Sequence, residues 1–383
     1  MVRELTVESL VPGGDGLARH EGKVVFIPDV LPGEKVRVRI VQSKRDFERG
    51  EVIELLEASP DRIVPECPAW PSCGGCDWLH IAYPAQRALK IEMARETYRR
   101  LGGFDFPGLQ LEWGQPWHYR NRIQVHRDPE GKLGFMGRKS SRVFPLRQCP
   151  VSHGALQEVF QSPSRDTKAA RFLAFGHDYQ GRPEVFREDA FPTMPDNGRE
   201  QGIRTRILNR EIRFPLGGFF QSNIGMLEKL IPWALEGLSG ERALDLYSGV
   251  GVFAAFLSEK FSKVLALEEQ ALAAQWISTN VGSPVEVFTG KVEELTQDSR
   301  LQSWADHPDL ILVDPPRVGL HADARRFLTD AGAKNLIYVA CDISTQARDL
   351  KILLAGGYRL VDLRLFDFYP QTHHLEAVAK LVH

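Results

Sequence analysis

From Gly237 onward the chain repeats one unit, a short apolar run followed by a segment of helical pattern. The runs are Ala243-Leu244-Asp245-Leu246, Lys263-Val264-Leu265-Ala266-Leu267, Leu310-Ile311-Leu312-Val313 and Leu336-Ile337-Tyr338-Val339-Ala340. Strands that are apolar on both faces, separated by helices, are buried only in a mostly parallel sheet with helices on each side. The alternation therefore predicts a doubly wound, Rossmann-like α/β domain over residues 216–383. In such a sheet ligands bind beyond the carboxyl ends of the strands, so the residue that follows each run is a candidate for chemistry.

The first run leads into a glycine turn, Gly249-Val250-Gly251, and an apolar helix. The glycines allow a tight turn and close approach to a ligand, but the third glycine of the dinucleotide fingerprint is missing. The second run ends at Glu268, where an acid can accept hydrogen bonds from ribose hydroxyls; the alternative is a solvated acid beside Glu269 and Gln270. The next gives Asp314-Pro315-Pro316-Arg317, a loop stiffened by two prolines. The last ends in Cys341. A cysteine there is either an inert core residue or a nucleophile at the rim of a ligand pocket.

A reaction exists that needs such a thiol. Carbon 5 of uracil is a poor nucleophile until a thiolate adds to carbon 6 and makes an enolate; a base must then remove the hydrogen on carbon 5. The stretch DFYPQTHHLEAVAKL, residues 367–381, offers Glu376 at the entry of a final apolar strand, Leu375 to Val382, with His373 and His374 as rival bases. Burial of Glu376 would raise its pKa.

Upstream the pattern differs. Residues 1–58 carry short alternating strands punctuated by Gly13-Gly14, Asp15-Gly16, Glu21-Gly22 and Pro32-Gly33, which predicts a small OB-like barrel. Residues 59–215 are expected to form a central domain of cysteine-rich loop, a helix from about Pro84 to Leu101, and short β segments. Three of the five cysteines, Cys67, Cys73 and Cys76, fall within ten residues as C-x5-C-x2-C, and Cys149 lies downstream. That clustering is unlike a secreted disulfide framework. Four thiolates can hold a [4Fe–4S] cluster or a zinc ion. Between Arg87 and Arg147 there are thirteen Lys or Arg against six Asp or Glu, interleaved with Tyr98, Trp113, Trp117, Tyr119 and Phe135. A basic face with rings suits single-stranded RNA, as well as being compatible with an ordinary solvated surface.

The sequence contains no long uncharged apolar stretch, so no membrane span is expected. The start, MVRELTVESL, lacks the apolar core of a signal peptide, and a cytoplasmic monomer is expected.

GGDGLARHEGKVVFIPDVLPGEKVRVRI resembles a TRAM domain, a small RNA-binding barrel. FFQSN, DLYSGVGVF, VDPPRVGL, YVACDISTQARDL and FYPQTHHLE, in this order, resemble the RNA 5-methyluridine methyltransferases. The resemblance implies methylation of carbon 5 of a uridine in structured RNA, with Cys341 as nucleophile and Glu376 as proton acceptor. It implies S-adenosylmethionine held by Gln221, Tyr247, Glu268 and Asp314 beside the Gly249 turn, and a helix near 84–101 packed on the catalytic domain. The cysteine spacing resembles the cluster-bearing branch of the family, which implies a [4Fe–4S] cluster on Cys67, Cys73, Cys76 and Cys149 and 23S rRNA rather than tRNA as substrate. Two departures stand out. Members commonly have Cys-Asn-Pro where this chain has Cys341-Asp342-Ile343, and a cofactor-binding Asn where it has Val252. A non-catalytic RNA-binding or assembly protein is one alternative. A nitrogen methyltransferase built on Asp314-Pro315-Pro316 is another, although Arg317 replaces the aromatic residue such enzymes carry next.

Overall fold

A computed structural model describes residues 1–161, 171–175, 184–187, 202–215, 218–282 and 284–383. The expected boundary at 215/216 and much of the stretch from 162 to 201 fall on or beside residues outside that description.

The N-terminal unit is a six-stranded sheet in the order β1-β5-β6-β4-β3-β2. The strands are β1 (Val2–Thr6), β2 (Ser9–Leu10), β3 (Gly16–His20), β4 (Lys23–Ile27), β5 (Lys35–Ser43) and β6 (Phe47–Glu57). Alternation sets its inside and outside: Val36 and Val38 are fully buried with Val25 and Ile27, while Arg37 and Arg39 point to solvent. Arg37 lies between Glu4 of β1 and Glu54 of β6 and pairs with both, a charge ladder across the outer face.

After the cysteine segment comes a helix, Tyr83–Thr97, with Pro84 in its first turn; the chain continues through a wider turn, Tyr98–Gly102, that stops at left-handed Gly103. Next are β7 (Gln110–Glu112), β8 (Arg122–Arg127), β9 (Leu133–Met136), β10 (Val143–Pro145), β11 (Arg171–Phe175) and β12 (Glu184–Arg187). The last five form an antiparallel sheet in the order β10-β9-β8-β11-β12. Ile123, Val125, Leu133, Val151 and Leu156 make a small core there that also takes in Cys149.

The hairpin β13 (Gly202–Ile207) and β14 (Arg210–Pro215) packs Ile203, Ile207, Ile212 and Phe214 into the same core as Phe253 and Phe256. The hairpin thus shares a core with the unit that follows it.

That unit is an eight-stranded sheet in the order β17-β16-β15-β18-β19-β21-β20-β7. Its strands are β15 (Gly240–Leu246), β16 (Phe261–Glu268), β17 (Glu286–Thr289), β18 (Leu310–Val313), β19 (Asn335–Ala340), β20 (Arg359–Phe366) and β21 (Glu376–Val382). β17, β16, β15, β18 and β19 are parallel, as the apolar runs predict. Both faces are apolar: Leu244 and Leu246 join one core and Ala243 the other, as do Ile311 and Val313 against Leu310 and Leu312. Two features differ from a plain parallel sheet. β21 is no edge strand; it inserts antiparallel between β19 and β20. β7, from the central segment, adds to the outer edge parallel to β20.

Candidate active site and cysteine cavity

The strand order reverses at β15, which has β16 on one side and β18 on the other, and a cavity of about 450 Å³ opens beyond the carboxyl ends there. Gln221, Tyr247, Gly249, Glu268, Asp314, Cys341 and Glu376 all line it. Gly249 has φ 57°, and a side chain at that position would project into open space. Gly251, at φ 83°, starts the helix Val252–Leu257 and packs against Ile277, which a Cβ would meet at 3.1 Å. Buried Asp245 accepts a 2.9 Å hydrogen bond from Ala254 N–H and so fixes that helix beneath the turn. Glu268 is buried rather than solvated. Its Oε2 accepts from Gly249 N–H and its Oε1 from Gln270 N–H, both at 2.8 Å. The acid at the end of β16 thus holds the glycine turn in place. Gln221 lies just before the helix Ile224–Ala234, which Asn223 caps by accepting from Met226 N–H. The Gln221 Oε1 is buried and lacks a partner within the protein.

The reacting end lies across the same cavity. Cys341 sits where β19 gives way to the helix Ile343–Ala355. Asp342 caps that helix, accepting from Ser344 N–H at 2.8 Å and Thr345 N–H at 3.0 Å, and Ile343 is buried. Aspartate is as good a cap as asparagine, so the altered loop still holds the thiol at the strand exit. The Cys341 thiol is pushed up to about 12, first by burial and then by the charges of Glu376 and Asp314, with Arg317 opposing them. Glu376, at the start of β21 and 3% exposed, is raised well above the ordinary carboxylate range by burial and by Asp314, with Arg317 again opposing. Burial also raises Asp314. Arg317 is the group the sequence did not single out as functional: its cation is set among the thiol and two acids.

Of the rival bases, His374 reaches the cavity and is lowered to about 4, first by burial and then by the charges of His373 and Arg317. His373 turns away. Its Nδ1 pairs with Asp77, whose Oδ1 accepts from His373 N–H at 3.1 Å. The segment leading to these residues is held from behind by the helix Tyr83–Thr97. Lys90 and Asp367, both fully buried, form an ion pair at 2.6 Å, and Tyr83 donates to the same carboxylate at 2.9 Å. Gln86 exchanges two hydrogen bonds with Gln371, at 2.8 Å and 3.0 Å. None of these links carries a local sequence signal.

A second cavity, of about 330 Å³, lies between the cysteine segment and the β8–β10 sheet, and Cys67, Cys73, Cys76 and Cys149 all line it. Burial pushes the Cys73 thiol up to about 11 and raises Cys67; Cys76 is raised well above its usual value by burial and by Cys149 and Cys73. Cys149 is fixed by Gln157, which accepts from its N–H at 3.0 Å and donates to its carbonyl at 2.9 Å. Among the described residues, no three His, Cys, Asp or Glu side chains converge closely enough for one metal ion. Also among the described residues, no helix is long and apolar enough to cross a membrane.

Strand order, glycine turn and cavity define an S-adenosylmethionine-dependent methyltransferase fold, here behind a TRAM barrel. The tRNA (uracil-5-)-methyltransferase family model matches residues 203–382, and the TRAM domain model matches residues 1–53. An uncharacterised RNA methyltransferase of Streptomyces coelicolor is 32% identical, the match covering 99% of this chain and 92% of that protein. The 23S rRNA (uracil(1939)-C(5))-methyltransferase of Shewanella frigidimarina is 30% identical, over 98% and 94%. Among solved structures, the Pyrococcus abyssi tRNA (uracil-54, C5)-methyltransferase in complex with S-adenosyl-L-homocysteine shares the fold. Its TM-score is 0.76 at 23% identity, over 99% of this chain and 100% of that one. The chain belongs to the RNA uracil-5-methyltransferase family, and is an enzyme that methylates RNA with S-adenosylmethionine as donor.

Proposed function

We propose that the enzyme methylates carbon 5 of one or more uridines in 23S rRNA through a covalent adduct on Cys341. The observation that carries this is the shared cavity: a thiol from the end of β19 and a buried acid from the start of β21 open into the same space as the Gly249 turn and Glu268. Gln221, with its unpaired buried acceptor, together with Tyr247, Glu268 and Asp314, would hold S-adenosylmethionine. When bound, that molecule supplies an electrophilic methyl group. The Cys341 thiolate adds to carbon 6, and the ring electrons move to the carbonyl oxygen at carbon 4; carbon 5 then bonds to the methyl group as the methyl's bond to the sulfonium sulfur breaks, leaving S-adenosylhomocysteine. Arg317 stabilises the thiolate, whose formation burial opposes. Glu376, as carboxylate, takes the hydrogen from carbon 5; its raised pKa makes it a stronger base once ionised. The electrons left behind restore the double bond between carbons 5 and 6 and expel the Cys341 thiolate. The target base must leave its stack to reach the thiol, and the barrel and basic surface would grip the flanking strand.

Cys67, Cys73, Cys76 and Cys149 would hold a [4Fe–4S] cluster. The donors are all thiols, and all four line one cavity. Methyl transfer needs no redox step, so the cluster's part is structural. The assignment to 23S rRNA follows the relatives of Shewanella and Pectobacterium, which are named for that substrate.

The test is to map 5-methyluridine in ribosomal and transfer RNA from cells with and without the gene. Loss of one or two 23S sites is expected; loss confined to tRNA would overturn the substrate. RNA carrying 5-fluorouridine at the mapped position should trap a denaturation-resistant adduct, and an equal yield from Cys341→Ala would remove the nucleophile assignment.

A further inference from the structure

Three stretches far apart in the chain meet beside the active cavity. The barrel brings its Gly13-Gly14 turn, the cysteine segment brings Asp77 and Trp78, and the catalytic unit brings the loop Gln371 to His374. Asp77 directly follows Cys76, a wall of the thiol cavity. It holds His373 twice, through the backbone N–H at 3.1 Å and through Nδ1. Trp78 N–H donates to the Gln371 carbonyl at 3.0 Å, and Trp78 Nε1–H reaches the Gly14 carbonyl at 3.4 Å. Gly14 has φ +85°, and a Cβ there would meet Asp77 Oδ2 at 2.9 Å and His373 Cβ at 3.0 Å. Only glycine lets the barrel turn close over this pair. On the far side the His373 ring lies 4.1 Å from the ring of His374, which lines the active cavity two residues before Glu376. The placement of the cysteine segment is therefore carried to the loop that presents the acid by the Asp77 carboxylate, together with the Trp78 N–H.

We propose that Asp77 is a positioning residue for the methyl-transfer reaction: it locks the loop bearing His374 and Glu376 to the thiol cavity, and the Gly14 turn of the barrel closes the lock. This rests on the reading of Glu376 as the base. If it holds, the barrel and the cysteine region set active-site geometry as well as gripping RNA. Loops of this kind must be held to fractions of an ångström, because small displacements of a reacting group cost large factors in rate.

The experiment uses the full-length enzyme with Asp77→Ala, Asp77→Asn, Gly14→Ala and Glu376→Gln, and 23S rRNA from cells lacking the gene. The readouts are kcat, KM for RNA, iron per chain and RNA–protein adduct resistant to denaturation. For Asp77→Ala, kcat should fall about tenfold to a hundredfold with KM and iron changed less than about twofold, and methylated adduct should accumulate as in Glu376→Gln. Asp77→Asn keeps an acceptor for His373 N–H and should fall between; Gly14→Ala should give the same signature more weakly. Wild-type kcat in Asp77→Ala and Gly14→Ala would overturn the proposal. So would a rate loss that tracks iron loss with no adduct, because Asp77 would then serve only the cysteine site. If Asp77→Ala does not fold, wild-type kcat in both Asp77→Asn and Gly14→Ala overturns it. If Glu376→Gln turns over normally while Asp77→Ala is slow and retains iron, the base assignment fails and His374 is the group that Asp77 positions.

Discussion

Two regions of this molecule bury cysteine, and they do so among different neighbours. At the active cavity one thiol, Cys341, is raised first by burial and then by two carboxylates, with an arginine opposing. In the second cavity Cys76 is raised first by burial and then by Cys149 and Cys73, with Arg120 opposing. A thiol beside acids has partners to exchange protons with, and an adjacent cation can make its thiolate transiently affordable. Thiols that face one another can ionise together only when a cationic group compensates the accumulated charge, which describes a ligand set. The residue type is the same; the neighbours assign the chemistry.

The largest effect is expected at Cys341. Cys341→Ala should abolish methylation and the 5-fluorouridine adduct while leaving iron content at the wild-type level. Retained turnover would show that the two kinds of site had been confused. Glu376→Gln comes next: kcat should drop about a hundredfold to ten-thousandfold, with methylated RNA–protein adduct accumulating on denaturing gels. A drop without adduct would place Glu376 before, not after, methyl transfer.

On the other side, Cys149→Ser should remove most of the iron and lower the melting temperature, because a group bound only by the folded state stabilises it. Removing iron from the wild-type protein with a chelator should lower the melting temperature in the same way. Adduct formation at Cys341 should survive in reduced yield. A colourless, iron-free wild-type protein prepared without oxygen would instead make the four cysteines a packing feature.

Gln221→Ala sharpens the cofactor half of the active cavity. Losing one hydrogen bond of about 1 to 1.5 kcal/mol should raise KM for S-adenosylmethionine roughly tenfold, with little change in kcat.

The smallest effect is on stability against pH. Glu376 and Asp314 are both raised in the folded protein by burial. Unfolded carboxylates titrate near pH 4, so above that range the folded state holds protons the unfolded state has released. Stability of the ligand-free protein should therefore fall as pH rises from about 4 through the raised folded values. Asp314→Asn should flatten that slope in urea melts run from pH 5 to pH 8. An unchanged slope would mean that the two acids do not share the buried environment described for them.

Much of the active cavity was legible in the residues themselves. A strand that is apolar on both faces ends where its pattern ends, so Gly249, Glu268, Asp314 and Cys341 mark the exits of β15, β16, β18 and β19 without any knowledge of contacts. The position of Glu376 was half legible. Its apolar strand shows in the sequence, but the insertion of β21 between β19 and β20 does not, because strand order depends on pairing between distant segments. Only that insertion brings Glu376 to the thiol. β20 was missed because RLVDLRLF mixes charges into its run, and β7 because three residues carry no pattern.

The sequence by itself determined the period of the elements, the class of sheet, the residues at its rim and the presence of four spare thiols, since each is set by local periodicity or spacing. The tertiary structure alone decided which residues face one another. Lys90 and Asp367 lie 277 positions apart, and Asp77 and His373 lie 296 apart. Such pairs form only when folding closes the intervening chain, and no short-range preference of either partner records them.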